Sequence, residues 1–188
     1  MSSLNTGAAG RRYSTGAMLF HWVIAIAVIV NWRIAEAAEH APKADAGAIM
    51  VNHKALGITI LILTLGRLAW RLTHKVPPLP SNHASWEKVL ARTVHIIFYV
   101  LLIGLPIGGW LASSYFGKGV DVWGIFTLPA LPVGEDPATG KAIFGLHGTG
   151  GEVFIYLIAL HILGALKHTF FDKDGTLWRM LPFGTPKG

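Results

Sequence analysis

The sequence predicts an all-α integral membrane protein, a single domain over residues 1–188 arranged as a four-transmembrane-helix antiparallel bundle. Three observations carry that reading. Mean hydropathy is +0.49 and only 14% of residues are charged, which does not describe a soluble domain. Four apolar runs, at about 17–38, 51–70, 93–113 and 146–171, each have roughly the 20 residues needed to cross about 30 Å of hydrocarbon. The segments between them are polar or rich in Gly and Pro, as turns outside a bilayer would be.

Residues 1–16 are polar, contain Arg11 and Arg12 and lack a cleavage-site pattern, so they read as a short mature tail. Ser14 or Thr15 is placed to cap the first span. His21 lies one turn inside that span, and Trp22 and Trp32 sit near its two ends, where interfacial aromatics are favoured. A polar connection from Glu36 to Met50 leads to the second span, which His53 opens. Arg67 follows fourteen residues later and so returns to the face of His53 near the opposite surface; an arginine there can also snorkel to the headgroups. The basic linker 71–92 is punctuated by KVPPLP and holds Trp86. In the third span His95 occupies the first turn, and Gly104, Pro106, Gly108 and Gly109 permit close packing or a kink. Residues 114–145 form the longest connection, longer than an idle loop, so it is expected to cover a site or lie in the interface.

The fourth span carries His147, His161 and His168 on one stripe. Fourteen residues bring His161 back to within about 40° of His147, roughly 21 Å away along the axis. Arg11, Arg12, Arg71, Lys75, Lys88, Arg92, Lys167, Lys173 and Arg179 mark one end of the bundle as the inner one, so both termini are expected in the cytoplasm. In that topology His53 and His147 meet at the outer end, and His21 and His161 meet at the inner end. An intramembrane histidine is expensive without a partner, so two depth-matched pairs indicate a site at each level. Any one of them taken alone reads equally well as a helix-to-helix hydrogen bond.

Two stacked histidine pairs in an apolar bundle suit two irons, each a non-covalent haem b held by one imidazole from either of two helices. Covalent haem attachment, disulfides and thiolate metal sites are excluded, because the chain has no cysteine. With both axial positions filled, the expected chemistry is one-electron transfer rather than oxygen binding. A zinc or copper permease would want three or four convergent ligands, with acid or sulfur among them, and is the weaker reading. The net charge of +6 follows membrane topology rather than a nucleic-acid surface, so the partner is membrane lipid and no nucleic acid is expected. His95 shares the depth of His21 and competes with it as a ligand, with a propionate or quinone contact as its other use. His168 reads as an end residue favoured by the helix C-terminus, and His40, His74 and His83 lie in loops.

The pieces RRYSTGAMLFHW, NHKALGITILILTLGRLAWR, HIIFYVLLIGLPIGGW, LHGTGGEVFIYLIALHILGALKHTFF and DKDGTLWRMLP cover nearly the whole chain. Together they resemble the bacterial cytochrome b561 family, related to the cytochrome b subunits of hydrogenases and formate dehydrogenases. The resemblance implies a four-helix bundle enclosing two b-type haems in the bacterial inner membrane, with ligands on His21, His53, His147 and His161. It also implies electron exchange with ubiquinone or ubiquinol near the cytoplasmic haem, at a site among Arg92, His95 and the first turn of the first span, and it matches Arg67 to the family's arginine in the second span. One branch resembles superoxide oxidases, which makes superoxide the implied donor at the periplasmic haem and the activity that of a superoxide:ubiquinone oxidoreductase or an electron-transfer protein. The outer loops are not strongly basic, although Lys54, Lys118 and Lys141 offer a local patch for an anion. The alternative is a cytochrome b anchor subunit of a hydrogenase or dehydrogenase complex, and a homodimer or a partner redox subunit is left open.

Overall fold

The computed structural model describes residues 12–77, 85–173 and 175–184. Arg11, His83 and the PLP end of the KVPPLP motif lie outside the described residues. Four helices long and apolar enough to cross a membrane make up the fold: α1 Thr15–His40, α2 Lys43–Thr73, α3 Ser85–Ser114 and α4 Pro137–Phe170. The chain is therefore a multi-pass membrane protein.

Every helix is longer than its apolar run. The connection expected from Glu36 to Met50 is helical on both sides of a break at Ala41 and Pro42. Hydropathy marks only the part of a helix that faces lipid, whereas AEAAEH and KADAGAIM are rich in residues that favour helix in any surroundings. Pro42 sets the break because it disfavours helical backbone at the residue before it. For the same reason α4 begins at Pro137 rather than near residue 146. Pro suits a first helical turn, and the Asp136 carboxylate accepts from the amides of Ala138 and Thr139 at 3.1 and 3.2 Å and from the Thr139 hydroxyl at 2.6 Å. These bonds hold the Asp136 pKa below the usual carboxylate range, the Thr139 hydroxyl contributing most.

At the start of α1 the Ser14 hydroxyl accepts from the Ala17 amide at 3.4 Å and from the Trp70 indole at 2.9 Å, so one side chain caps α1 and ties it to α2. Gly16 is what lets Trp70 lie there, since a Cβ at that position would overlap the indole. Helix α1 packs most closely on α2, α3 on α4, and α2 more sparsely on α3. The bundle is thus two helical hairpins facing each other across a seam. Ile24, Val28, Ile60, Leu102 and Phe154 close the middle of that seam with buried apolar side chains.

The long connection after α3 contains an antiparallel hairpin, β1 Val120–Val122 and β2 Phe126–Leu128, that the hydropathy pattern did not announce. Trp123 and Gly124 both have positive φ in its turn, a conformation that costs Trp more than Gly. The inward residues Val120 and Val122 bury Ile58 of α2, and the Trp123 indole donates to the Thr59 hydroxyl at 2.9 Å. The hairpin therefore covers the outer end of the bundle. At the inner end a 3-10 turn, Leu177–Met180, returns to α1: the Trp22 indole donates to the Met180 carbonyl at 2.7 Å, and the Tyr13 amide donates to the Arg179 carbonyl at 3.1 Å.

Candidate functional site

The histidine pairs span two of the helix combinations that do not pack closely. His53 on α2 and His147 on α4 have ring centres 5.9 Å apart at the outer end, and His21 on α1 and His161 on α4 have ring centres 6.3 Å apart at the inner end. Neither α1 with α4 nor α2 with α4 is among the closely packed pairs, so these rings meet across the seam rather than inside a packed interface. Two imidazoles on opposite sides of one metal, at bonds of about 2 Å, have ring centres about 6 Å apart. Both pairs have that separation, and at the inner end His95 has it with His161 as well, at 6.1 Å.

The outer pair is held in the form a metal needs. His53 Nδ1 lies 3.2 Å from the Asn31 carbonyl, and His147 Nδ1 lies 2.9 Å from the Leu105 carbonyl. A carbonyl only accepts, so each Nδ1 carries the proton and each Nε2 keeps its lone pair. Gly109 makes room for the His147 ring, because a Cβ there would come to 3.2 Å from Cε1 and 3.3 Å from Nδ1. Of these three supports the sequence marked only Gly109, as a residue that permits close packing. Two are main-chain carbonyls, which any residue supplies, and the third is a missing methyl.

The inner end is more polar. An Arg67 guanidinium nitrogen lies 3.3 Å from His21 Nδ1. Arginine only donates, so here Nδ1 accepts and the His21 proton sits on Nε2, the reverse of the outer pair. His95 brings a third ring, with its centre 6.1 Å from that of His161, and Phe98 packs edge-on against His161 at 5.3 Å. Arg67 also lies over the Tyr99 ring at 5.8 Å, and the buried Tyr99 hydroxyl has no hydrogen-bond partner among the described residues. A cavity of about 30 Å³ is enclosed by His21, Arg67, His95, Phe98, Tyr99 and His161. A porphyrin is far larger, so it would take up the seam between the hairpins rather than that cavity alone. The donor set of two imidazoles per level, the loose seam and the unsatisfied Tyr99 hydroxyl fit a planar, carboxylate-bearing cofactor.

The remaining predicted residues fall elsewhere. His168 lies at the inner end of α4 with Nδ1 2.8 Å from Asp172, and Glu87 approaches the same group. The Lys167 ammonium bridges Glu87 at 3.0 Å and Asp172 at 2.7 Å, so this is an ion-pair network joining α3 to α4. Lys54 and Lys118 come together beside β1. Lys141 is not among the residues lining that cleft.

Comparison with known proteins places the chain in a family. The sequence pattern described as "Prokaryotic cytochrome b561" matches residues 12–183. The chain is 33% identical over 187 residues to Escherichia coli (strain K12) cytochrome b561 homolog 2, covering 96% of this chain and 95% of that protein. It is 29% identical to a probable superoxide oxidase, CybB, of Yersinia pestis, covering 92% of this chain and 97% of that one. To E. coli cytochrome b561 homolog 1 it is 28% identical, over 91% and 97% respectively.

Proposed function

The chain belongs to the prokaryotic cytochrome b561 family, and from that premise we propose that it carries electrons across a bacterial inner membrane through two b-type haems. Ubiquinone is the exchange partner at the cytoplasmic end and superoxide the donor at the periplasmic end. Membrane electron transfer and b-type haem follow from the family itself. The observation that carries the finer reading is the pair of histidine contacts reaching across the seam at both levels of α4. Haem bound there supplies a one-electron iron couple.

In this reading His53 and His147 hold the outer group, and His21 and His161 hold the inner one. The Asn31 and Leu105 carbonyls fix the outer imidazoles in the ligating tautomer. At the inner end, ligation through His21 Nε2 requires Arg67 to release Nδ1 and donate to another acceptor. A propionate or a quinone oxygen beside Tyr99 and His95 would be such an acceptor. His95 borders the same cavity, with its ring centre 6.1 Å from that of His161. The apolar layer of Ile24, Val28, Ile60, Leu102 and Phe154 separates the two levels and excludes water from the path between them. Arg12, Arg71, Lys75, Lys88, Arg92, Lys167, Lys173 and Arg179 support placing that end and both termini in the cytoplasm. The name of the Yersinia pestis relative supports superoxide as the donor.

Stopped-flow spectroscopy of the purified holoprotein tests this, with superoxide and ubiquinol added in separate experiments. Rapid haem reduction by both is expected. Reduction by neither would overturn both partners and leave the role of an anchor subunit for another redox protein.

A further inference from the structure

Beside the outer histidine pair, the first turns of α2 and the strand β1 enclose an open cleft of about 510 Å³. Met50 and Val51 give it an apolar wall, while Lys54, Lys118 and Asp121 supply its charges. The two lysines sit close enough to repel each other, and Lys54 is half-buried. Among the described residues neither makes an ion pair. Asp121 is committed elsewhere, since its carboxylate accepts from the Gly124 amide at 3.0 Å and closes the hairpin turn. Like charges converging without a counter-ion raise the energy of the fold, and at the end of a bundle that is otherwise poor in Lys and Arg they have no topological reason.

The cleft has the size of a site for an organic ligand, many times larger than a diatomic anion. Its charges sum to one positive unit, two lysines against one aspartate. On α2, the exposed side chains of Val51, Ile62 and Leu65 fall within about 60° of one another, so the apolar wall continues along the lipid-facing side of the helix. We propose that the cleft binds a phosphodiester monoanion carried on an apolar body, the chemistry of an anionic phospholipid such as phosphatidylglycerol. Lys54 and Lys118 take the phosphate, and Met50 and Val51 take the first part of the apolar body. A zwitterionic choline headgroup would set its own cation beside two ammonium groups and is disfavoured.

Native mass spectrometry of the full holoprotein in detergent tests this, with phosphatidylglycerol and phosphatidylcholine of equal chain length as probes. The parent should retain phosphatidylglycerol in preference, and Lys118→Ala should lower that retention about fivefold, as expected for one lysine near a phosphate. Lys118 lies outside the helices, so this variant leaves α2 intact, and an unchanged visible spectrum verifies it; Lys54→Ala should behave alike. Displacement of the lipid by dissolved glycerophosphoglycerol would show that the phosphodiester suffices, and failure to displace it would show that the chains contribute. Both results support the site. Equal retention of the two lipids, or variants that match the parent, would overturn it.

Discussion

Gly109→Ala tests how tightly the protein positions His147. An alanine Cβ at 109 would stand 3.2 Å from His147 Cε1 and 3.3 Å from Nδ1, and the ring would have to retreat by a few tenths of an ångström. It cannot do so freely, because Nδ1 is bonded to the Leu105 carbonyl at 2.9 Å on the same helix as the new methyl. Overpacking of this kind costs about 1–3 kcal/mol, and the weakened hydrogen bond adds about 1 kcal/mol. Replacing Gly by Ala inside a helix returns up to about 1 kcal/mol. The net loss is then about 1–3 kcal/mol, roughly a 5- to 150-fold weaker hold on a group ligated by His147.

Gly108→Ala is the matched control. It lies one residue away on the same helix, and its added Cβ meets nothing within 4 Å, so it should be neutral or slightly stabilising. The assay is haem stoichiometry by pyridine haemochrome after graded heating, with electron paramagnetic resonance to show which low-spin signal is lost. The outer signal should fail earlier in Gly109→Ala than in the parent or in Gly108→Ala. If both glycine variants keep the outer signal equally well, the ring is not held as described and the argument fails.

Four further outcomes are expected. His161→Ala should remove the inner haem or leave it five-coordinate and high-spin while the outer one stays low-spin, and His147→Ala should do the reverse; one haem in the parent, or equal disturbance of both sites, would require a different ligand set. His95→Phe should slow ubiquinol exchange in stopped-flow measurements while the haem spectrum stays that of the parent, whereas loss of a haem would make His95 a ligand. Ser14→Ala removes both the α1 cap and the acceptor for the Trp70 indole, and thermal unfolding should show a loss of about 1–2 kcal/mol. Asp136 has a depressed pKa in the folded state, so its contribution is present above the unfolded value near 3.9 and is lost as pH falls through the lower folded value. Amide exchange at Ala138 and Thr139, corrected for intrinsic rates, should therefore accelerate below about pH 4 and not on passing from neutral to pH 5.

The four spans were legible because a bilayer imposes one strong rule, a run of apolar residues long enough to cross it. Their ends were not legible, since that rule is silent where the helix leaves the lipid. Glu36 to His40 and Lys43 to Met50 are polar enough to resemble a loop, yet they continue α1 and α2, and only the restriction imposed by Pro42 interrupts them. The β hairpin was hidden for a related reason. Each of its strands is three residues long, too short for an alternating pattern to stand out, and its register depends on Val120 and Val122 meeting Ile58 of a distant helix.

The histidine pairs were legible from arithmetic alone. A fourteen-residue spacing fixes where His147 and His161 point, and antiparallel topology fixes the level each partner reaches, with His21 and His95 sharing the inner level at ring centres 6.3 and 6.1 Å from that of His161. What the arithmetic could not show is that the two pairs differ in readiness. At the outer end the groups behind the rings are main-chain carbonyls, which accept only, so His53 and His147 present Nε2 whether or not a metal is near. At the inner end the group behind His21 is a guanidinium, which donates only, so His21 presents a proton where a metal would need a lone pair. From the sequence Arg67 read either as a snorkelling end residue or, by resemblance, as the family's arginine in the second span and a cofactor contact. Its contact with Nδ1 makes it the side chain that must move for His21 to ligate, and the buried, unpartnered Tyr99 hydroxyl marks the cavity wall beside which it can turn. Equal spacing therefore gives two histidine pairs of similar separation and unequal preorganisation, the rigid one at the end the hairpin covers and the adjustable one at the other.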